Sequence, residues 1–507
     1  LIIKALRDSF ILALDIGTSS VRAALYDFRG RVLPETMVKN ERVVEITDDG
    51  GAQLDAEEAL SQVFEAIDDV LEKNDALIEQ IEYVAMSCFW HSLVGVDREG
   101  HATTPVYTWA ETRPANYVQT LRDELNETGI HNRTGARFHS SFWTAKLLWL
   151  REEFPDDFAK TAKWLSFSDL AAERLLRDYA TSVSMASGTG IFDIRRNDWD
   201  DELLDFLKIR RDQLPRIAED DETFRIPQTV APDGSAHSSS PRSKRWEKLR
   251  RSAKCFLAIG DGAANNIGAG CVRQEKAALM VGTSGAMRVA FRGDVPEKIP
   301  SGLWCYRIDR TRVIAGGALS DGGGLFRWLK DNLKLDEEDD HIEREIAKRR
   351  PDAHGLTFLP FLAGERSTGY HETASGAILG LKSATDAIDI VQAALESVAY
   401  RFAEIYDQLN DVLKIKEVIA SGGALRASPV WTQILCDVLA SKMSLPDTRE
   451  ASSRGAVLLA LESIGKIEDI SNLETPEGTR FDFDSKRHEI YGQARKRHEE
   501  FYKLLIK

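Results

Sequence analysis

The chain has 507 residues and a formal net charge of −15, with 43% hydrophobic and 29% charged residues. That composition excludes a wholly disordered chain, predicts about two to four domains, and contains no run near the ~20 apolar residues of a membrane span. The acidic balance argues against a nucleic-acid partner, whose phosphates need clustered Lys and Arg.

Five cysteines (Cys88, Cys255, Cys271, Cys305 and Cys436) never form a C-x-x-C pair. Neither a disulfide framework nor a zinc site is expected, and the cysteine usage together with the lack of a charged-then-apolar leader predicts a cytoplasmic setting.

Phe10 to Asp15 is an apolar run closed by an acid and by Gly17-Thr18-Ser19-Ser20, which reads as a buried strand. Val21 to Tyr26 follows, then the Asp27-Phe-Arg-Gly30 turn and Arg31 to Leu33, so an antiparallel meander is expected. A helix is predicted over about Ala56 to Leu71 and a strand over Ile81 to Met86. Pro227 to Pro241, rich in proline and serine, reads as a linker, and the basic cluster from Arg242 to Lys254 as a solvated helix face.

Beyond the linker the opening pattern returns. Cys255 to Asp261 is again an apolar strand ending in an acid beside Gly262. Ala277 to Val281 closes on Gly282-Thr283-Ser284-Gly285, with Met287 to Phe291 as its partner. This order suggests two related α/β halves. Ile388, Val391, Leu395, Val398, Phe402, Ile405 and Leu409 alternate spacings of three and four, one apolar stripe of a long helix capped by Ser383 or Thr385. Glu417 to Ser421 is a strand, Gly422-Gly423 a turn, Val430 to Leu439 a helix, and the stretch after Ile470 a strand or loop plus a helix packing back.

Glycine turns with adjacent hydroxyls let backbone N–H groups approach a phosphate. Neither G-x-x-x-x-G-K-[ST] nor G-x-G-x-x-G occurs, so a P-loop or Rossmann site is not expected. The combination of two acids at strand ends, two G-T-S turns and a G-G turn before a helix resembles the FGGY carbohydrate kinases. These form the sugar-kinase branch of the actin, hexokinase and Hsp70 superfamily. The resemblance runs from about Phe10 to Leu461. Asp15 to Arg22 is similar to the first phosphate hairpin, Gly260-Asp261-Gly262 with Gly268 and Gly270 to the catalytic-base segment, and Gly282 to Gly285 to the second phosphate turn. Gly422 to Ser428, with Trp431, Gln433 and Asp437, resembles the C-terminal signature.

What the resemblance implies is an α/β fold of two ribonuclease-H-like (actin/hexokinase-type) domains, 1–245 and 246–507, closing over a central cleft. It implies ATP and Mg²⁺ as cofactors, Asp261 as catalytic base, and Asp15 with Asp261 at the metal. Gly17, Thr18, Ser19, Gly282, Thr283, Gly323, Gly422 and Gly423 would line the nucleotide. His91, Trp109, Glu111, Arg113 and His139 would bind the substrate, with Glu111 accepting from hydroxyls and Arg113 and the histidines donating. Two departures stand out: Glu111 replaces the family's aspartate in W-x-D-x-R, and Ala427 replaces a polar residue in the adenosine loop. Ser184 to Asp193, the T-W-A-x-x-R form and Lys146 to Leu150 look most like the gluconate-kinase members, whose substrate carboxylate would meet Arg113, His91, His139 and Lys146. Xylulose, ribulose or other polyol kinases remain the alternative within the family, and a nucleotide-dependent switch or sugar sensor outside it. The expected partner is a small sugar or sugar acid, with homodimerisation left open and neither nucleic acid nor membrane involved.

Overall fold

The computed structural model describes residues 9–228, 241–335, 338–447 and 450–506. Most of the expected linker, residues 229–240, lies outside the described residues. Two seven-stranded mixed sheets organise the chain. Each is built on the same plan: an antiparallel hairpin closed by a glycine turn, a long helix, and a strand returning parallel to the hairpin's first strand.

In the first sheet the hairpin is Phe10–Ile16 with Ser20–Asp27, and Ile81–Cys88 returns parallel to Phe10–Ile16. The intervening helix Ala56–Lys73 starts where the Asp55 carboxylate accepts from the Glu58 N–H, and it buries Leu60, Val63, Ile67 and Leu71 against the sheet. In the second sheet the hairpin is Lys276–Val281 with Gly285–Arg292, and Glu417–Ser421 returns parallel to it. The helix between them, Ala387–Val412, buries the whole predicted stripe. Its cap is Asp386, in a capping box with Asp389, and neither Ser383 nor Thr385: the carboxylate sits directly at the first turn and reaches the Asp389 N–H at 2.8 Å.

Three further expectations are corrected. The third strand of the opening meander is Val38–Glu41; Arg31 to Leu33 contributes only an isolated bridge from Val32 to Tyr26, because Pro34 interrupts the ladder. The run from Cys255 to Asp261 divides into two short strands, Lys254–Cys255 and Ile259–Gly260, both parallel to Ile81–Cys88. The chain leaves the first sheet after Gly260 and enters the second at Lys276. The basic helix Pro241–Ser252 is solvated on one side only, with Lys244 and Arg251 exposed, and docked on the other. Trp246 is fully buried and donates to Asp68 at 2.5 Å, while Arg245 and Lys248 pair with Glu72 and Asp75 beside the first long helix.

The halves meet where helix Asp261–Gly268 packs against helix Ala451–Ser463. A Cβ at Gly268 would stand 1.8 Å from the Ala451 carbonyl oxygen, and one at Gly455 1.8 Å from that of Ala264, so glycine at both positions lets the backbones touch. This contact fixes Asp261, at the first turn of its helix, over the seam between the sheets. The chain ends with strand Gly478–Phe481 on the second sheet and helix Ser485–Leu505. All five cysteines are unpaired and buried. No helix among the described residues is long and apolar enough to cross a membrane.

Candidate active site

The two acids at strand ends face the seam. Asp15 is the last residue but one of the first strand, accepting from Ser87 Oγ at 2.7 Å and from Arg22 at 3.3 Å. Burial pushes its pKa up against both contacts. Asp261 accepts from the Gly262 N–H at 2.7 Å; burial raises it too, the Arg288 charge works the other way, and the Asp15 charge adds to the rise. A buried and a half-buried carboxylate within electrostatic reach of each other form an oxygen donor set that fits a hard divalent cation.

Beside Asp261 lies a cavity of about 140 Å³ whose lining includes Trp90, His91, Trp109, Arg288, Tyr306 and Arg366. Trp90 occupies a glycine cradle: a Cβ at Gly188, Gly260 or Gly262 would strike its indole, whose Nε1 donates to the Ser184 carbonyl at 3.0 Å. The Ser184-to-Gly190 motif is thus the bed of this indole. His91 holds the left-handed conformation, φ 67°, and its Nδ1 lies 2.5 Å from the Gly188 carbonyl. Nδ1 is therefore the protonated nitrogen. Burial holds the ring neutral, its pKa well below the usual value, which leaves Nε2 as an acceptor. The expectation that this histidine donates is corrected.

Glu111 and Arg113 are not in that cavity. Glu111 is 0% exposed and accepts from the Arg113 backbone N–H, Nε (2.8 Å) and Nη2 (2.7 Å) and from the Ala52 N–H. Its extra methylene reaches Arg113, which lies over the Tyr107 and Trp149 rings. His139 is also outside: Ser141 N–H donates to its Nδ1, and its ring packs edge-on to Tyr370. Lys146 is fully buried and donates to the carbonyls of His91 and Thr108, both at 2.7 Å. None of these side chains is left with charge to offer a substrate.

The cations that do face the cavity, Arg288 and Arg366, escaped the sequence reading. Arg288 had a visible signal, a charge in the middle of the strand Gly285–Arg292, whose other charge, Arg292, stands at its end; Arg366 follows Gly364-Glu365 in a loop and had none. Arg288 is 9% exposed, and its Nη1 is buried without a hydrogen-bond partner. Tyr306 Oη is buried and unpartnered as well, its ring stacked on Trp304 at 4.5 Å.

A second cavity, about 540 Å³, opens in the C-terminal half. Gly282, Thr283, Gly323 and Gly423 form one wall, and Phe326, Ile342, Ile346, Leu395 and Trp431 an apolar one. A Cβ at Gly282 would meet nothing nearer than 3.7 Å and one at Gly423 nothing within 4 Å, so both faces are open to a ligand. Gly422 sits beneath the wall: its φ of 101° and the Val281 carbonyl 2.1 Å from its would-be Cβ make it a turn residue. Ala427 lines the cavity as a bare methyl. Asp437 does not reach it; the carboxylate takes Arg487, Gln433 and the Asp484 N–H and ties down the last helix. In the first hairpin, Gly17 N–H donates to Ser20 O, and Thr18 Oγ1 accepts from Trp109 Nε1 at 3.2 Å. The hairpin is thereby linked to the wall of the smaller cavity.

A two-sheet α/β chain with paired glycine turns, acids at the seam, and one small polar and one large part-apolar cavity has the layout of a phosphotransferase that acts on small molecules. The family models for the N-terminal and C-terminal domains of the FGGY family of carbohydrate kinases match residues 10–231 and 277–463, and the chain belongs to that family. It is 26% identical to the gluconokinase of Bacillus subtilis (strain 168) over 93% of this chain and 91% of the relative. It superposes with a TM-score of 0.87 on the gluconate kinase of Lactobacillus acidophilus, at 26% identity and 98% coverage of both chains. The ligand-bound xylulose kinase of Lactobacillus acidophilus gives the same TM-score, identity and coverage. The protein is a carbohydrate kinase with the two-domain actin/hexokinase-like architecture, and enzymes of this family use ATP, generally with Mg²⁺.

Proposed function

We propose that this kinase transfers the γ-phosphoryl group of ATP to a hydroxyl of a small sugar acid, gluconate being the favoured substrate and 6-phosphogluconate the product. The observation that carries this reading is the charge in the smaller cavity. Two guanidinium groups, Arg288 and Arg366, stand against the single carboxylate of Asp261, and a neutral polyol would leave that excess unanswered. The gluconokinase relatives point the same way.

In this reading Asp261 accepts the proton of the attacking hydroxyl, and His91 Nε2 accepts from a neighbouring hydroxyl and so orients the chain. The nucleotide occupies the larger cavity, its base on the apolar wall and its phosphates at Gly282, Thr283, Gly323 and Gly423. The hairpin at Gly17, Thr18 and Ser19 meets the terminal phosphate from the opposite side, where backbone N–H groups stabilise the transferring charge. Asp15 and Asp261 would hold Mg²⁺, which supplies charge neutralisation of the phosphates. Trp90, Trp304 and Tyr306 limit water, the competing acceptor.

A ketopentose is the second reading, favoured by the equal similarity to the xylulose kinase. ADP release measured with gluconate, xylulose, ribulose and glycerol separates the two. A charged hydrogen bond is worth roughly 1.5–3 kcal/mol, so gluconate is expected to lead in kcat/KM by at least about tenfold. A ketopentose or polyol as the better substrate removes the gluconate reading and leaves the kinase assignment intact.

A further inference from the structure

Two cations line the sugar cavity, Arg288 and Arg366, while two others near the site, Arg113 and Lys146, lie outside it and have their partners. Arg113 is consumed by Glu111 and Lys146 by two backbone carbonyls. Arg288 lies against Gly262, where a Cβ would come 3.2 Å from its Nε, and it faces the Asp261 charge beside it. Neither cavity cation has a side-chain hydrogen bond or ion pair among the described residues, but Arg288 is packed against Gly262 from within its strand, whereas Arg366 stands on a loop with its guanidinium over the face of the Trp109 ring, 5.5 Å from the centroid.

Its surroundings are built. Glu365 and Ser367, on either side, are both buried. Glu365 accepts from Tyr502 Oη at 2.7 Å and from Arg401, while Ser367 exchanges hydrogen bonds with the backbone of Ala318 at 3.0 and 3.1 Å. The backbone that presents Arg366 is therefore fixed, and only the charged end is unsatisfied. An unpaired charge next to a low-dielectric wall is costly unless a ligand completes it. Arg366 belongs to the C-terminal half and Trp109 to the N-terminal half, so the arm also spans the cleft. The same loop is docked across it by Arg122 donating to the Tyr370 carbonyl at 3.2 Å and by Ser140 N–H donating to Glu372 at 2.8 Å.

We propose that Arg366 is the specificity-determining residue of this site, its planar guanidinium binding the carboxylate of the sugar acid while the far end of the substrate presents its hydroxyl to Asp261. A planar fork matches a carboxylate with two parallel hydrogen bonds, which Lys cannot reproduce. Trp109, held to Thr18 of the phosphate hairpin, fixes the plane of that fork. The proposal rests on the sugar-acid reading above.

The test compares gluconate with glucitol, which carries the same hydroxyls and replaces the carboxylate by a hydroxymethyl group. On wild-type enzyme gluconate leads. In Arg366→Met the kcat/KM for gluconate is expected to fall about ten- to a hundredfold, and the gluconate-to-glucitol ratio to fall toward one. Arg366→Lys should recover part of that ratio. If Arg366→Met turns over neither compound, titration calorimetry of gluconate in the presence of a non-hydrolysable ATP analogue decides. Supporting the proposal is a gluconate Kd weakened at least about tenfold, with the Kd of the analogue alone unchanged; an unchanged gluconate Kd overturns it. An undiminished ratio in Arg366→Met overturns the role of Arg366 and leaves the sugar-acid reading standing. A wild-type preference for glucitol overturns the sugar-acid reading itself, and the proposal with it.

Discussion

Lys146 holds His91 in place: its Nζ donates to the His91 carbonyl oxygen at 2.7 Å, and at the same distance to the carbonyl of Thr108. One buried ammonium thus ties the left-handed His91 at one strand end to the segment that carries Trp109. Two residues that line the smaller cavity are positioned by a side chain outside its lining.

Lys146→Met keeps the length and removes the donors, stranding two buried carbonyls. A stability loss of about 1–3 kcal/mol per stranded group is expected, together with a raised KM for the sugar. Burial also lowers the Lys146 pKa to about 7 from the 10.5 usual for a lysine. Between those pH values the unfolded chain holds a proton that the folded chain has released, so this residue's contribution to stability rises with pH and is lost as pH falls through 7. The Tm advantage of wild type over Lys146→Met should therefore widen from pH 7 to pH 9 in thermal melts. A constant or shrinking difference would show that the lysine stays charged in the fold.

Arg113→Met is expected to act on stability and not on substrate choice. It leaves Glu111 buried with two backbone N–H partners and no counter-charge, a change that costs about 3–5 kcal/mol in such settings. Denaturant unfolding should show the loss. A folded variant with wild-type stability and altered gluconate preference would return Arg113 to the substrate.

Asp261→Asn removes the proton acceptor while keeping the shape of the cavity. The kcat should fall by a factor on the order of 10²–10⁴, with nucleotide affinity nearly intact. Rapid-quench kinetics at saturating substrate measures this directly, and wild-type turnover would exclude Asp261 as the base.

Gly282→Val tests the nucleotide cavity. Because a Cβ there meets no atom nearer than 3.7 Å, the fold should tolerate the side chain, yet it projects where phosphates must approach the backbone. Fluorescent-nucleotide binding should drop sharply with an unchanged melting curve. Undiminished ATP affinity would place the nucleotide elsewhere.

Local patterns carried the elements and the family. An apolar run stopped by a glycine turn, or an apolar stripe at helical spacing, is set by residues a few positions apart, and so the two hairpins, the long helices and the glycine turns were legible in the chain. The same locality misled at the edges: the residue capping the second long helix and the third strand of the meander are set by which backbone group finds a partner at an element's end, and that lies beyond an apolar pattern. Charge pairing was the larger gap. Glu111, Arg113, His139 and Lys146 carry the right chemistry for a sugar site, but whether a charge is available depends on which partner, near or far in the chain, reaches it in the fold. Only the packed tertiary structure placed Arg113 on Glu111 and Lys146 on two carbonyls. It also brought Arg288 and Arg366, from a strand and a loop of the other half, beside Asp261, because buried charges are apportioned by proximity across the whole fold rather than by neighbours in the chain.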